Sequence, residues 1–448
     1  MDARSVATQI LTQVIWHKHS LSDCLDTYLP DLNDARERAL AQNLCYGVLR
    51  WLRRLQALLQ CLLKQPLKDK DSDIQALLLI GLYQLIYLRI PPYATAATVN
   101  VTRTLKKTWA TGLVNGVLRN FQRKSDILLA KVDTDISVKL AHPIWLLKRL
   151  KKDWPTQWEA VAQANNSHPP LTLRVNNRCL SRDAYLEHLR EVGIAATPTP
   201  YVDSGITLDV PMDVQNLPGF TPVKSAEVSD LKINQASQGG WVSVQDGSAQ
   251  LAAQLLDVQA GTRVLDACAA PGGKTAHLLE HYEIDTLLAL DNKSDRIPLL
   301  ENTLSRLHLK AQVHCADASQ PDTWWDGQLF DRILLDVPCS GSGIIRRHPD
   351  IKYLRKPKDI VALTIQQARL IEKVWPLLKP GGKLLYVTCS VFAEENYLQI
   401  QKFLSQVTDA LETVLLADWG HALPIGRQIL PGENNLDGFY YACLSKTN

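Results

Sequence analysis

From Ala3 to about Phe121 the apolar positions recur every three or four residues, the spacing that lines one face of an α-helix. Val6, Ala7, Ile10, Leu11 and Val14 form one such stripe, and Leu40, Leu44, Val48, Leu52 and Leu55 form another after the cap-like Asp34. The run from Ile74 to Leu88 is nearly all apolar, but it is too short to span a bilayer and carries Gln75 and Gln84, so it reads as a buried helix. Pro91-Pro92 ends it, and two more helices are expected over Ala96–Lys107 and Leu113–Phe121. The pattern predicts an all-α bundle over residues 1–124. A helical linker over 125–168 should pack Trp145, Trp154 and Trp158, until Pro169-Pro170 stops it.

The period then changes. Leu171–Asn176 is strand-like, Arg182–Val192 is helical, and Val202–Val210 and Leu217–Lys224 are strand-like again, ending near Leu231. This predicts a small α+β module over 169–235. From 236 to 448 short apolar runs alternate with helical stretches, the mark of a parallel α/β sheet. The runs are Thr262–Asp266, Thr286–Asp291, Gln312–Ala318, Phe330–Asp336 and Lys383–Ser390, followed by a turn-flanked terminal strand in Asp437–Ala442. Most of them end in a polar residue, which sets those side chains along one carboxyl edge, the general binding edge of open α/β sheets.

The loop after the first of these runs reads DACAAPGGKT. Gly272 and Gly273 allow a ligand to approach the backbone, and the Lys274-Thr275 pair opens a helix. A phosphate-cradling P-loop would need glycine where Cys268 stands, and a dinucleotide fingerprint would need three glycines that Ala267–Gly273 does not supply. An S-adenosylmethionine site fits better. Asp291 follows roughly 20 residues past the loop, where a ribose diol is usually held, and Asp317 ends the next run, where it could bond an adenine amino group. One acid at a strand end is often only a helix N-cap; four in ordered succession favour a nucleoside site.

The composition leaves this picture intact. The chain has 448 residues, 46% hydrophobic and 21% charged, with a formal charge of +3, so nucleic-acid binding would rest on local basic patches such as Arg50, Arg53, Arg54, Arg103, Lys106, Lys107, Arg119 and Arg123. For any single one of these a solvated helix face is the simpler reading. Nine widely spaced cysteines without a C-x-x-C pair argue against a zinc ribbon or disulfide framework. No signal-peptide pattern opens the chain, so a cytoplasmic protein without metal or membrane partner is expected.

The segments DACAAPGGKT, LALDNKSDR, ADA, DVPCSGSG and VTCS resemble the ordered motifs of RNA cytosine-C5 methyltransferases. VNGVLRNF and the helical N-terminus narrow the resemblance to the bacterial small-subunit ribosomal RNA methyltransferase B (Sun/Fmu) family. It covers essentially the whole chain and implies three parts: a NusB-like RNA-binding bundle, an RNA-recognition-like module in which Arg174 and Asn176 match a family motif, and a Rossmann-like class I methyltransferase domain. Tyr353 stands where the family often has tryptophan.

The resemblance implies S-adenosylmethionine as cofactor, contacted by Cys268, Ala269, Ala270, Pro271, Gly272, Gly273, Lys274, Asp291, Asp317 and Asp336. Lys274 would contact the cofactor carboxylate or fix the loop. Cys389 would be the nucleophile, Cys339 would assist release, and Asp336 would bond the cytosine N3/N4 edge. Cytosine C5 is a poor nucleophile until C6 is attacked, and a thiolate suits that reversible attack. Cys268, Cys315 and Cys443 read as small hydrophobes as regards catalysis. The implied target is 16S ribosomal RNA, position 967 in the usual bacterial numbering, naked or in an early small-subunit assembly intermediate, with the enzyme a monomer. A transfer RNA methyltransferase of the same superfamily and a noncatalytic RNA-binding assembly factor are the rival expectations.

Overall fold

The computed structural model describes residues 2–91, 95–220 and 239–447. The chain divides into a helical unit, Met1–His168 with Ile345–Lys356, and an α/β unit, Pro169–Ile344 with Pro357–Asn448.

In the helical unit Asp2, Ser20 and Asp34 cap the helices Ala3–Ile15, Leu21–Tyr28 and Ala35–Leu62 by accepting a hydrogen bond from a first-turn N–H. The apolar stripes read from the sequence meet in one core, where Val6, Ile10 and Leu11 pack with Leu44, Val48 and Leu55 and with the Ser72–Ile86 helix. The expected helix at 96–107 is Thr95–Thr104. The expected helix end near Phe121 is not an end: the helix runs Thr111–Val132, with only Lys124 out of helical conformation. Leu128 and Val132 continue the buried stripe past Phe121, and nothing in 117–132 is a glycine or proline that would stop it.

Residues 346–350 belong to the helical unit. Lys352 is buried there with its Nζ donating to Arg50 O at 2.6 Å, Ala141 O at 3.0 Å and Asn166 Oδ1 at 2.9 Å. Burial pulls its pKa well down. Arg50 in turn donates to Arg346 O, and Asp350 accepts from Leu21 N. Several of the basic residues considered for phosphate tracking are spent on such contacts: Arg54 pairs with Asp133, and Lys107 with Asp71 and Asp73.

In the α/β unit a four-stranded antiparallel sheet comes first, built from β1 (Leu171–Val175), β2 (Ala196–Pro198), β3 (Gly205–Leu208) and β4 (Val242–Val244) in the order β2-β3-β1-β4. The Arg182–Glu191 helix buries Tyr185 and Leu189 on it. Leu217–Lys224, expected as a strand, is in a turn as far as Phe220, and the rest, with the module's expected end near Leu231, lies outside the described residues. Pro218-Gly219 accounts for the turn: Gly219 has φ +67, and a Cβ there would lie 2.1 Å from the Trp241 ring. The fourth strand comes instead from Val242–Val244, which the sequence pattern had assigned to the next domain.

The larger sheet has nine strands, β5 (Arg263–Asp266), β6 (Thr286–Asp291), β7 (Gln312–Cys315), β8 (Phe330–Asp336), β9 (Leu378–Thr388), β10 (Ala410–Thr413), β11 (His421–Ala422), β12 (Arg427–Ile429) and β13 (Phe439–Lys446). β5 to β9 are mutually parallel, in the order β9-β8-β5-β6-β7, and β13 runs antiparallel beside β9. Lys379–Gly382 form a bulge inside β9: Phe330 pairs with Leu378 but Arg332 with Lys383. Period two divides the side chains between two cores, Leu334, Leu385 and Val387 on one face and Ile333, Leu335, Leu384 and Tyr386 on the other.

Candidate active site

The carboxyl edge of β5, β6, β8 and β9 brings the sequence-predicted residues together. Beyond β5, Ala267 N donates to Leu334 O and Ala269 N to Leu290 O, so the cofactor-type loop is stitched to both neighbouring strands. Gly272 has φ +97, and a Cβ on it would meet Leu300 Cδ1 at 2.7 Å. The Gly273–His281 helix starts there, and Thr275 Oγ1 donates to Asp266 Oδ2 at 2.6 Å. Burial lifts Asp266 to about 7. Cys268 sits among Asp266, Asp336, Asp291 and Asp317; burial first, then these charges, hold its thiol well above the usual range.

Asp291 is buried at the end of β6, where its Oδ2 accepts from Ala270 N at 3.2 Å and Arg296 Nη1 at 3.3 Å, and its Oδ1 from Lys293 N at 3.0 Å. Arg296 also donates to Ala270 O. Asp291 therefore braces the loop as well as standing at its edge. Asp317 lies two residues past β7; burial opposes its charge, but donors from Ser319 and Gln320 hold its carboxyl below the usual range.

Lys274 donates to Asp336 Oδ2 at 2.6 Å, with its Nζ 5.3 Å from the centre of the Phe439 ring. The structure pairs Lys274 with the acid that ends β8. Burial works against the lysine's charge, and Asp336 more than restores it, leaving the pKa raised.

Cys339 follows β8 and Cys389 follows β9, and their sulfurs stand 3.3 Å apart. The hydrogen bond to Cys389, then burial and the neighbouring negative charge, hold the Cys339 thiol well above its usual range. Gly343 allows this approach: its N–H donates to Cys389 O at 2.9 Å, and a Cβ on it would lie 2.1 Å from Gly438 O.

Sequence reasoning passed over a buried polar cluster behind the sulfurs. Ser340, Ser342 and Ser390 bond one another through their hydroxyls, and Glu395 accepts from Ser340 N and Ser390 Oγ. The signal available was the acidic Glu394-Glu395 pair just after the Cys389-Ser390 motif.

Comparison with known proteins matches residues 253–445 to a family described as 16S rRNA methyltransferase RsmB/F, residues 142–215 to a ferredoxin-like domain of RsmF/B-like methyltransferases, and residues 1–123 to the NusB family. The chain is 48% identical over 448 residues to the ribosomal RNA small subunit methyltransferase B of Pseudomonas putida, covering 100% of this chain and 99% of that one. It is 45% identical over 447 residues to the protein of the same name from Vibrio cholerae serotype O1, covering 100% and 98%. A crystal structure of a methyltransferase homolog from Pyrococcus horikoshii aligns with a TM-score of 0.59 at 27% identity, covering 71% of this chain and 99% of that one.

Proposed function

The chain belongs to the 16S rRNA methyltransferase RsmB/F family, and from that premise we propose that it methylates C5 of one cytosine in 16S ribosomal RNA through a covalent cysteine adduct. The observation that carries this is the pair of sulfurs 3.3 Å apart beyond the ends of β8 and β9, beside the edge where the acids gather.

The residues present fit S-adenosylmethionine. Gly272 lets the loop turn close against Leu300, and the carboxyl groups of Asp266, Asp291, Asp317 and Asp336 surround the Cys268 loop, suiting a cofactor that carries a sulfonium and an ammonium group. Asp291 would hold the ribose diol and Asp317 the adenine amino group. Bound there, S-adenosylmethionine supplies an electrophilic methyl group.

The chain's own residues do the rest. The Cys389 thiolate adds to cytosine C6, forming the C6–S bond and moving the ring's electron pair towards C5. Asp336, paired with Lys274, accepts from the cytosine N4 amino group and favours a proton on N3 as negative charge moves into the ring. After C5 is methylated a base takes its proton, the electrons of that C–H bond restore the C5–C6 double bond, and the C6–S bond breaks with its electron pair on Cys389; the Cys339 thiol, 3.3 Å from that sulfur, assists this release by hydrogen-bonding the departing thiolate. A flipped or loop nucleotide is implied, because both sulfurs must reach one base. A ribosomal RNA substrate also implies action in the cytoplasm, on naked RNA or an early assembly intermediate.

Bisulfite sequencing of ribosomal RNA from cells with and without the protein tests this reading. Loss of a single 16S cytosine mark is expected. An unchanged 16S pattern with an altered transfer RNA would overturn it.

A further inference from the structure

Glu395 is fully buried and lies in a short 3-10 turn, Ala393–Glu395, beyond β9. Its carboxyl group reaches in two directions. Oε1 accepts from the backbone N–H of Ser340 at 2.8 Å and from Gln367 Nε2 at 3.2 Å, while Oε2 accepts from Ser390 Oγ at 2.6 Å. Ser340 follows Cys339 and Ser390 follows Cys389. One carboxyl group therefore bonds the residue immediately after each cysteine, from behind the pair. Gln367 extends the brace, since its Nε2 also donates to Pro338 O on the other side of Cys339. The three serine hydroxyls close the same cluster, and Ser342 Oγ accepts from Val391 N.

From this arrangement we propose that Glu395 is the positioning residue that holds the two cysteine-bearing segments at the spacing that brings their sulfurs together. Its hydrogen bonds run to Ser340 and Ser390, and it acts through them. The consequence for turnover rests on the proposed two-cysteine reaction, but the spacing itself does not. A buried acceptor serving three donors is costly to remove, because each buried donor loses that partner.

The physical logic separates three substitutions. Glu395→Ala removes both arms. Glu395→Asp keeps the carboxyl group but shortens its reach by one methylene, so it cannot serve Ser340 and Ser390 at once. Glu395→Gln keeps the reach: its carbonyl can accept from Ser340 N and Gln367, and the Ser390 hydroxyl can turn to accept from the amide.

The test measures proximity apart from activity. The full-length protein is treated with diamide, which takes two protons and two electrons from a pair of thiols to give a disulfide and the reduced hydrazine. Mass spectrometry of the peptides then follows formation of the Cys339–Cys389 linkage. Wild type should form it readily, Glu395→Ala and Glu395→Asp at least ~10-fold more slowly, and Glu395→Gln close to wild type, as expected for sulfurs displaced by about an ångström. In parallel kcat should fall by ~10²-fold in the Ala and Asp variants, with the S-adenosylmethionine Kd unchanged, and Gln should restore most of it. If Glu395→Ala does not fold, Glu395→Asp carries the comparison. Wild-type linkage rates in both the Ala and Asp variants overturn the proposal. Slower linkage with unaltered kcat supports the positioning role and overturns the two-cysteine reaction instead.

Discussion

Arg174 and Glu280, 106 residues apart in the chain, form a two-pronged buried ion pair, with Nε to Oε2 at 2.6 Å and Nη2 to Oε1 at 2.8 Å. The third arm of the guanidinium donates to Gly273 O and Gln245 Oε1, both at 2.6 Å. A residue of β1 in the small module thus grips both ends of the Gly273–His281 helix that follows the cofactor-type loop.

Breaking this pair from one side should be expensive, because it strands a charge whose side chain is only 2% exposed. We expect Arg174→Met to lower unfolding free energy by roughly 3–5 kcal/mol and the further change Glu280→Gln to recover much of that loss. Chemical denaturation of the two singles and the double checks it; additive losses would contradict a direct pair.

Asp266 gives the fold a pH dependence of defined sign. Its carboxyl titrates near 7 in the folded chain against an ordinary value of 3.8, because burial disfavours the charge. Between those values the folded protein keeps a proton that the unfolded chain has lost. The contribution to stability is therefore complete below 3.8 and is lost as pH rises through 7, on the order of 1 kcal/mol per pH unit. Asp266→Asn should remove this slope, so urea midpoints of wild type and variant at pH 5 and pH 7 should change by different amounts. Parallel changes would rule the assignment out.

Much of this site could be read along the chain, for a physical reason. β6 and β8 were visible as apolar runs closed by Asp291 and Asp336, since a buried parallel strand is apolar throughout and the polar residue marks where it leaves the sheet. Patterns of that kind report only neighbours within a few residues. Lys352 contacts Arg50, Ala141 and Asn166, which lie 302, 211 and 186 positions away, so no periodicity could have assigned residues 345–356 to the helical unit. The pairing of β4 is hidden from sequence pattern for the same reason: Val242–Val244 joins the small sheet by pairing with Leu173–Val175. Glu395 was invisible because its value lies in what folds around it.

At the cofactor edge, Asp291→Ala should weaken S-adenosylmethionine binding by roughly 1.5–3 kcal/mol, the worth of a hydrogen bond to a charged group. RNA affinity should hardly change. Because Asp291 also accepts from Ala270 N and Arg296, the loss combines a missing ribose contact with a loosened loop. Titration calorimetry with the cofactor and RNA separately reads both, and an unchanged cofactor affinity would remove Asp291 from the site.

The most direct test of the account compares Cys389→Ala with Cys339→Ala, incubated with target RNA and S-adenosylmethionine and analysed under denaturing conditions. If Cys389 forms the C6 adduct, its loss should abolish turnover and leave no joined species. Loss of Cys339 should allow attack and methylation but slow the release, leaving a denaturant-resistant complex of protein with methylated RNA. A trapped complex with Cys389→Ala and none with Cys339→Ala would reverse the two roles, and full activity in both variants without any trapped RNA would contradict covalent catalysis by this pair.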